Sequence, residues 1–226
     1  MNKKILIVAA HPDDEVLGCG GTVARLIKEG YDAYTLILGE GITSRDKSRN
    51  REKRLHDIKK LKDQIYKANK ILGIKKVFTF DLPDNRFDSV DFLDIVKIIE
   101  EIKNKLKPEI IFTHSKSDLN IDHRITHKAV ITATRPMKGE TVKSIYAFEV
   151  LSFTEWNYPL SFSPNVYFNI EDTLGLKLKA MSEYKNELRE YPHPRSLEGI
   201  KIKAKQRGME AGFSYAEAFE LIRRVY

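Results

Sequence analysis

The run Lys4-Ile5-Leu6-Ile7-Val8-Ala9-Ala10, followed at once by His11-Pro12-Asp13-Asp14-Glu15-Val16-Leu17-Gly18-Cys19-Gly20-Gly21-Thr22, decides how the chain is read. A short continuous apolar run bounded by a proline and carboxylates reads as a buried strand, with the polar cluster as the loop at its carboxyl end. The six residues Ile5 to Ala10 are too few for a signal peptide, and no cleavage region follows them.

Outward from this strand the pattern repeats. Strand-like runs at Lys4–Ala10, Ala33–Leu38, Lys76–Phe80, Ile110–Thr113 and Ser144–Val150 alternate with helical stretches at Thr22–Glu29, Arg51–Leu72, Asp91–Leu106 and Asp122–Thr134. Further β character lies at Asn165–Ile170. The helical period is plain in Phe92, Ile95, Val96, Ile99, Ile102 and Leu106. Such alternation predicts right-handed βαβ units, hence an α/β, Rossmann-like three-layer fold with a mostly parallel sheet. The last third reads as a helical C-terminal part, with helices over Leu174–Leu188, Ser196–Gly208 and Ala216–Arg224. No linker or repeat interrupts it, so a single domain over 1–226 is expected.

The 226 residues carry 39 Lys plus Arg against 32 Asp plus Glu, a net charge of +7. The lysines recur at helical spacing among acidic and apolar residues, which marks solvated helix faces rather than a nucleic-acid surface. One dense patch remains, Arg45 to Arg54, as a candidate anion contact. Cys19 is the lone cysteine, so an internal disulfide is excluded and a reducing, cytoplasmic setting is expected. No uncharged apolar run is long enough to cross a membrane.

In open α/β sheets, chemistry gathers at the carboxyl ends of the strands. A histidine and three carboxylates crowded after the first strand repel one another unless a cation sits among them. A metal ion meets that need, with His11 as a nitrogen ligand, one of Asp13 and Asp14 as an oxygen ligand and the other free to take a proton. The competing reading is a turn of solvated acids with a helix-capping Asp. The glycines at 18, 20 and 21 do not make a dinucleotide fingerprint, because Val23 stands where the third glycine is needed.

A second polar cluster, Thr113-His114-Ser115-Lys116-Ser117-Asp118-Leu119-Asn120-Ile121-Asp122-His123-Arg124-Ile125-Thr126-His127, ends the fourth strand and holds three of the six histidines. Asp122 is expected to cap the helix, with His123 in its first turn. Either His123 and His127 share a metal, or His123 alone faces the site while His127 bonds along the helix.

His-Pro-Asp-Asp-Glu with Gly-x-Gly-Gly, and later Asp-His opening a helix, resemble the PIG-L (LmbE-like) zinc-dependent N-acetylglucosaminyl deacetylases. The likeness extends to Pro192-His193-Pro194-Arg195-Ser196 and Tyr215-Ala216-Glu217-Ala218-Phe219. It implies His11, Asp14 and His123 as metal ligands and Asp13 as general base. Asn120 stands where the family usually has an oxyanion-stabilising histidine, so Asn120, His114 and His193 compete for the oxyanion and acid roles. The implied reaction is removal of the acetyl group from an N-acetylated amino sugar or its conjugate, giving acetate and a free amine. The implied cofactor is zinc, although two histidines and a carboxylate also suit iron(II).

Arg45, Arg86, Asp122 and Arg195 are the expected substrate contacts, with Arg45 and its basic neighbours suited to a phosphorylated or nucleotide-linked sugar. The expected partner is a small-molecule amino sugar, with no nucleic acid or membrane; homo-oligomers are common among the proteins this chain resembles. The rival function is a non-catalytic module that binds a nucleotide sugar or nucleic acid. The spare carboxylate beside a metal ligand argues against it, since a pure binder has no need of one.

Overall fold

The structure, a computed structural model, describes residues 2–226. Its seven strands are β1 (Lys4–Ala9), β2 (Asp32–Gly39), β3 (Lys76–Leu82), β4 (Ile110–His114), β5 (Ser144–Phe148), β6 (Val166–Asn169) and β7 (Ala216–Arg224), and they form one sheet in the order β3-β2-β1-β4-β5-β7-β6. The first five run parallel, and β7 lies antiparallel between β5 and β6. Six helices accompany them: α1 (Asp14–Lys28), α2 (Leu55–Leu72), α3 (Phe92–Leu106), α4 (Ile121–Ala133), α5 (Leu174–Met181) and α6 (Leu197–Ala211). Among the described residues no helix is long and apolar enough to cross a membrane.

The strand period of two divides β1 between two cores. Ile5, Ile7 and Ala9 pack with α1, α2, Met181 and Ile200 on one face, while Leu6, Val8 and Ala10 pack with α3 and α4 on the other. This is the expected three-layer α/β arrangement, with β1 buried on both faces because helices cover both.

Three sequence expectations change. Ala216–Arg224 is the strand β7 rather than a helix; Ala, Glu, Leu and Arg favour helix locally, but pairing to β5 and β6 overrides that preference. The helix expected over Leu174–Leu188 ends at Met181, and residues 182–188 form turns. The first helix also begins earlier than Thr22. It starts at Asp14, so Asp14 and Glu15 occupy the first turn, where the helix dipole favours negative charge.

The glycines of α1 serve close packing. A Cβ at Gly18 meets the buried Phe148 ring at 2.3 Å. Gly18→Ala is expected to lower unfolding stability by about 2 kcal/mol, an overpacking loss of about 3 less about 1 regained in helix preference. Urea titration reads this directly, and an equally stable variant contradicts the packing argument.

Candidate active site

β1 has β2 on one side and β4 on the other, and the helices that follow these strands lie on opposite faces, so the chain order switches at β1. A crevice at that point, at the carboxyl ends of the strands, is where an open α/β sheet binds its ligand. The cavity there has a volume of about 270 Å3 and is lined by His11, Asp13, Asp14, Asp84, Asn120 and Arg195 among others.

Three acceptor atoms converge in it. His11 Nδ1 lies 3.2 Å from His123 Nε2 and 3.6 Å from Asp14 Oδ2, and His123 Nε2 lies 3.3 Å from the same carboxylate oxygen. Bonds of about 2.0–2.1 Å in a tetrahedron give donor separations of about 3.3–3.4 Å, so the triangle matches a zinc site with its fourth position open. The outer ring nitrogens face carboxylates: His11 Nε2 is 2.9 Å from Asp122 Oδ2, and His123 Nδ1 is 3.1 Å from Asp118 Oδ2, off the line of a full hydrogen bond. Ring protons therefore belong on those outer nitrogens, which leaves both lone pairs directed at the centre. Asp14 Oδ2 also accepts the His11 backbone N–H at 2.8 Å, which fixes its rotamer.

The electrostatics agree that the triangle calls for positive charge. Burial opposes protonation of His123, yet Asp14 and Asp118 override it and raise the imidazole to about 9. His11 is likewise raised, against its burial, by Asp122 and Asp14. Asp14 is held well below the carboxylate range despite its burial, by His123, His114 and His11. The carboxylates that favour positive charge on these histidines present a negative field suited to a divalent cation.

Asp13 stands outside the triangle but on the same cavity wall. Burial pushes its carboxyl well up, against the pull of Arg195 and with help from Asp14, Glu187 and Glu15. Its backbone is in the left-handed region at φ 96, an unfavourable place for a non-glycine residue. Glu15 holds it there: Oε2 accepts the Asp13 N–H at 3.1 Å, while Oε1 takes the Tyr184 hydroxyl and the Asn69 amide. Burial raises Glu15 itself to about 7. On the other side Arg195 Nη1 lies 3.2 Å from Asp13 Oδ2, its Nε donates to Ser152 Oγ at 2.8 Å, and its guanidinium rests 4.7 Å from the Phe153 ring centre.

The remaining sequence expectations separate here. Asn120, not Asp122, caps α4: its Oδ1 accepts the Asp122 N–H at 2.9 Å, and its amide donates to Asn85 Oδ1 at 2.7 Å. Asp122, expected to contact substrate, is fully buried between His11 and the Phe87 N–H. His114 does not line the cavity; it is fully buried, its Nε2 accepts the Ala10 N–H at 2.9 Å, and its ring stacks on His123 at 4.0 Å. His127 bonds the His114 carbonyl rather than the centre. His193 lines the cavity, with Nδ1 accepting the Arg195 N–H at 3.1 Å, and burial together with Arg195 and Arg189 lowers its pKa. Arg45 lines the cavity but is paired with Glu187, and Arg86 lies in an adjoining depression.

The expected anion site at Arg45–Arg54 is not open. Arg49 and Arg51 reach Glu40 at 2.7 and 2.9 Å, Arg51 also reaches Asp81, and Lys53 and Arg54 both hold Asp46. Charges matched internally leave little field for a phosphate. Sequence reading missed Asp118, Glu15 as the holder of Asp13, and Glu187. Asp118 stood within the quoted cluster, but nothing in its spacing set it apart from a loop acid.

The family model described as PIG-L: GlcNAc-PI de-N-acetylase matches residues 6–134. The uncharacterized deacetylase YaiS of Escherichia coli (strain K12) is 28% identical over 190 residues, covering 81% of this chain and 91% of that protein. A probable N-acetyl-alpha-D-glucosaminyl L-malate deacetylase 2 of Bacillus cereus is 29% identical over 195 residues, covering 83% of this chain and 84% of that one. Among solved structures, an N,N'-diacetylchitobiose deacetylase from Pyrococcus horikoshii superposes with a TM-score of 0.78 at 20% identity, covering 98% of this chain and 84% of that one.

Proposed function

Because the chain belongs to the PIG-L family of GlcNAc-PI de-N-acetylases, we propose that it is a metal-dependent N-deacetylase that hydrolyses an N-acetylated amino sugar or sugar conjugate to acetate and a free amine. The observation that carries this reading is the open triangle of His11, Asp14 and His123 with the spare carboxylate of Asp13 on the same cavity wall. Zinc is our assignment from the triangle's dimensions, and iron(II) suits the same donors. When bound, the ion supplies Lewis acidity, which brings the pKa of a water molecule toward about 7.

The chain's own groups do the rest. Asp13 takes the proton of the attacking water and returns it to the departing nitrogen as the C–N bond breaks; its raised pKa suits it to both transfers. Arg195 and Glu15 fix its carboxylate and backbone for the purpose. The second amide proton of Asn120 and the Nε2–H of neutral His193 are the available donors for the developing oxyanion. His114 is withdrawn from that role by its burial under His123. We assign the whole chain 1–226 to this one activity, in a reducing cytoplasmic compartment that accords with the lone buried Cys19. The rival binding module loses its support with the internal pairing of the Arg45–Arg54 stretch.

Chelation is expected to abolish acetate release from N-acetylhexosamine substrates, and zinc or iron(II) to restore it at one ion per chain. The melting temperature should fall with it, because metal at about 100 times its Kd stabilises the native state by about 2.7 kcal/mol. Undiminished hydrolysis by rigorously stripped protein, or no release from any N-acetyl sugar by the loaded protein, overturns the proposal.

A further inference from the structure

His123 is fully buried, its ring stacked on His114 at 4.0 Å between centres and set against the Phe153 ring at 5.1 Å. These contacts hold the plane of the imidazole, so what remains to be decided is which nitrogen carries the proton. Asp118 decides it, with Oδ2 at 3.1 Å from Nδ1, but a carboxylate in that place has two rings to turn to. His114 Nε2 accepts the Ala10 N–H, so the His114 proton is on Nδ1, which has no partner among the described residues. His114, Asp118 and His123 each offer a ligand atom within 4.8 Å of the others. The His114 lone pair is spent on the Ala10 N–H, so these three side chains serve as support behind the His11, Asp14 and His123 triangle rather than as a second metal site.

Two donors set the direction of Asp118. Its Oδ1 accepts the Asn120 N–H at 2.9 Å, and its Oδ2 accepts the Thr154 hydroxyl at 3.0 Å. That hydroxyl has a single proton, and it is aimed. Thr154 Oγ1 accepts the Val150 N–H at 2.8 Å, which fixes the oxygen and turns its own proton to the carboxylate. Thr154 is almost fully buried, so solvent offers no replacement donor. Thr154 and Phe153 are neighbours in the loop that follows β5, whose Ser152 hydroxyl and Leu151 carbonyl also take Arg195 Nε, at 2.8 and 3.3 Å. One short loop thus reaches His123 through Asp118 and Asp13 through Arg195.

Resting on the deacetylase reading, we propose that Thr154 is a positioning residue for the metal: through Asp118 it holds the His123 proton on Nδ1 and keeps Nε2 free for the ion. The test reads zinc binding, as the Kd from chelator competition on the stripped full chain, with acetate release from an N-acetylhexosamine measured alongside. Partners behind a metal-binding histidine are worth about 10- to 100-fold in affinity, so Asp118→Asn should lose about that much and Thr154→Val about tenfold. Thr154→Ser keeps the hydroxyl and should stay close to native. Adding Thr154→Val to Asp118→Asn should cost little more, because the hydroxyl acts through the carboxylate. A role confined to propping the loop gives a different pattern: Thr154→Val then melts lower when metal-free, from the stranded Val150 N–H, and its Kd does not move. An unmoved Kd in Thr154→Val, or its full loss persisting beside Asp118→Asn, overturns the proposal. Where Thr154→Val folds poorly, Asp118→Asn decides, since a native Kd there leaves the hydroxyl nothing to act through. Zinc bound by the native chain without acetate release removes the deacetylase reading and leaves the positioning role to be read from Kd; a native chain that binds no zinc removes both.

Discussion

Asp13→Asn should release acetate about 1,000-fold more slowly than the native protein while keeping its metal and its fold. General acid–base groups contribute about 100- to 10,000-fold, and here one carboxylate is asked to serve in both directions of proton transfer. The substitution preserves shape, leaves the His11, Asp14 and His123 triangle intact, and removes only the capacity to accept a proton. Stability gives an independent check. Burial already disfavours the charged form of Asp13, and its backbone is held in the left-handed region that asparagine tolerates well. The variant is therefore expected to melt no lower than the native protein, the pattern of a site that trades stability for activity. Asp14→Asn should behave differently, losing metal as well as turnover. Turnover within tenfold of native by metal-replete Asp13→Asn would remove Asp13 from the mechanism.

What the sequence could and could not tell about this site has physical reasons. The first strand was readable because six apolar residues ending in a proline and acids have few other interpretations, and the alternation that follows it dictates the parallel sheet. Which of Asp13 and Asp14 groups with His11 and His123 was not readable from residue type. It depends on where α1 begins, since Asp14 enters the first turn and Asp13 stays outside it at positive φ. Asp122 and Asp118 were beyond reach for the same reason. Whether a carboxylate caps a helix or stands behind a histidine depends on the register of the loop, and here Asn120 took the cap and freed Asp122 for His11. The Arg45–Arg54 stretch misled because, besides Asp46 within it, its counter-charges Glu40, Asp81 and Glu187 come from outside it.

The C-terminal part was expected to be helical and to lend His193 and Arg195 to the site, yet its helix α5 and strand β7 also bond the backbone of α1. Lys177 from α5 and Glu217 from β7 are almost fully buried and paired with one another. Lys177 Nζ donates to the Leu17 carbonyl at 2.7 Å, and Glu217 accepts the backbone N–H groups of Gly21 at 3.0 Å and Thr22 at 2.6 Å. The Gly21 carbonyl in turn takes the Thr173 hydroxyl. Charged side chains thus bond the backbone groups at the Leu17–Gly21 rung, one turn below the residues that carry the site, and the small glycines allow their approach. Removing one partner strands the other as a buried charge, so Lys177→Met and Glu217→Gln should each lower the unfolding free energy by about 3–5 kcal/mol. The double variant should be far less unstable than the sum of the two, because it leaves no unpaired charge, and a double-mutant cycle by urea unfolding measures that difference. Simple additivity of the two losses would mean that the residues act separately, and the pair would then have no claim to fix α1 or the Asp13 and Asp14 that begin it.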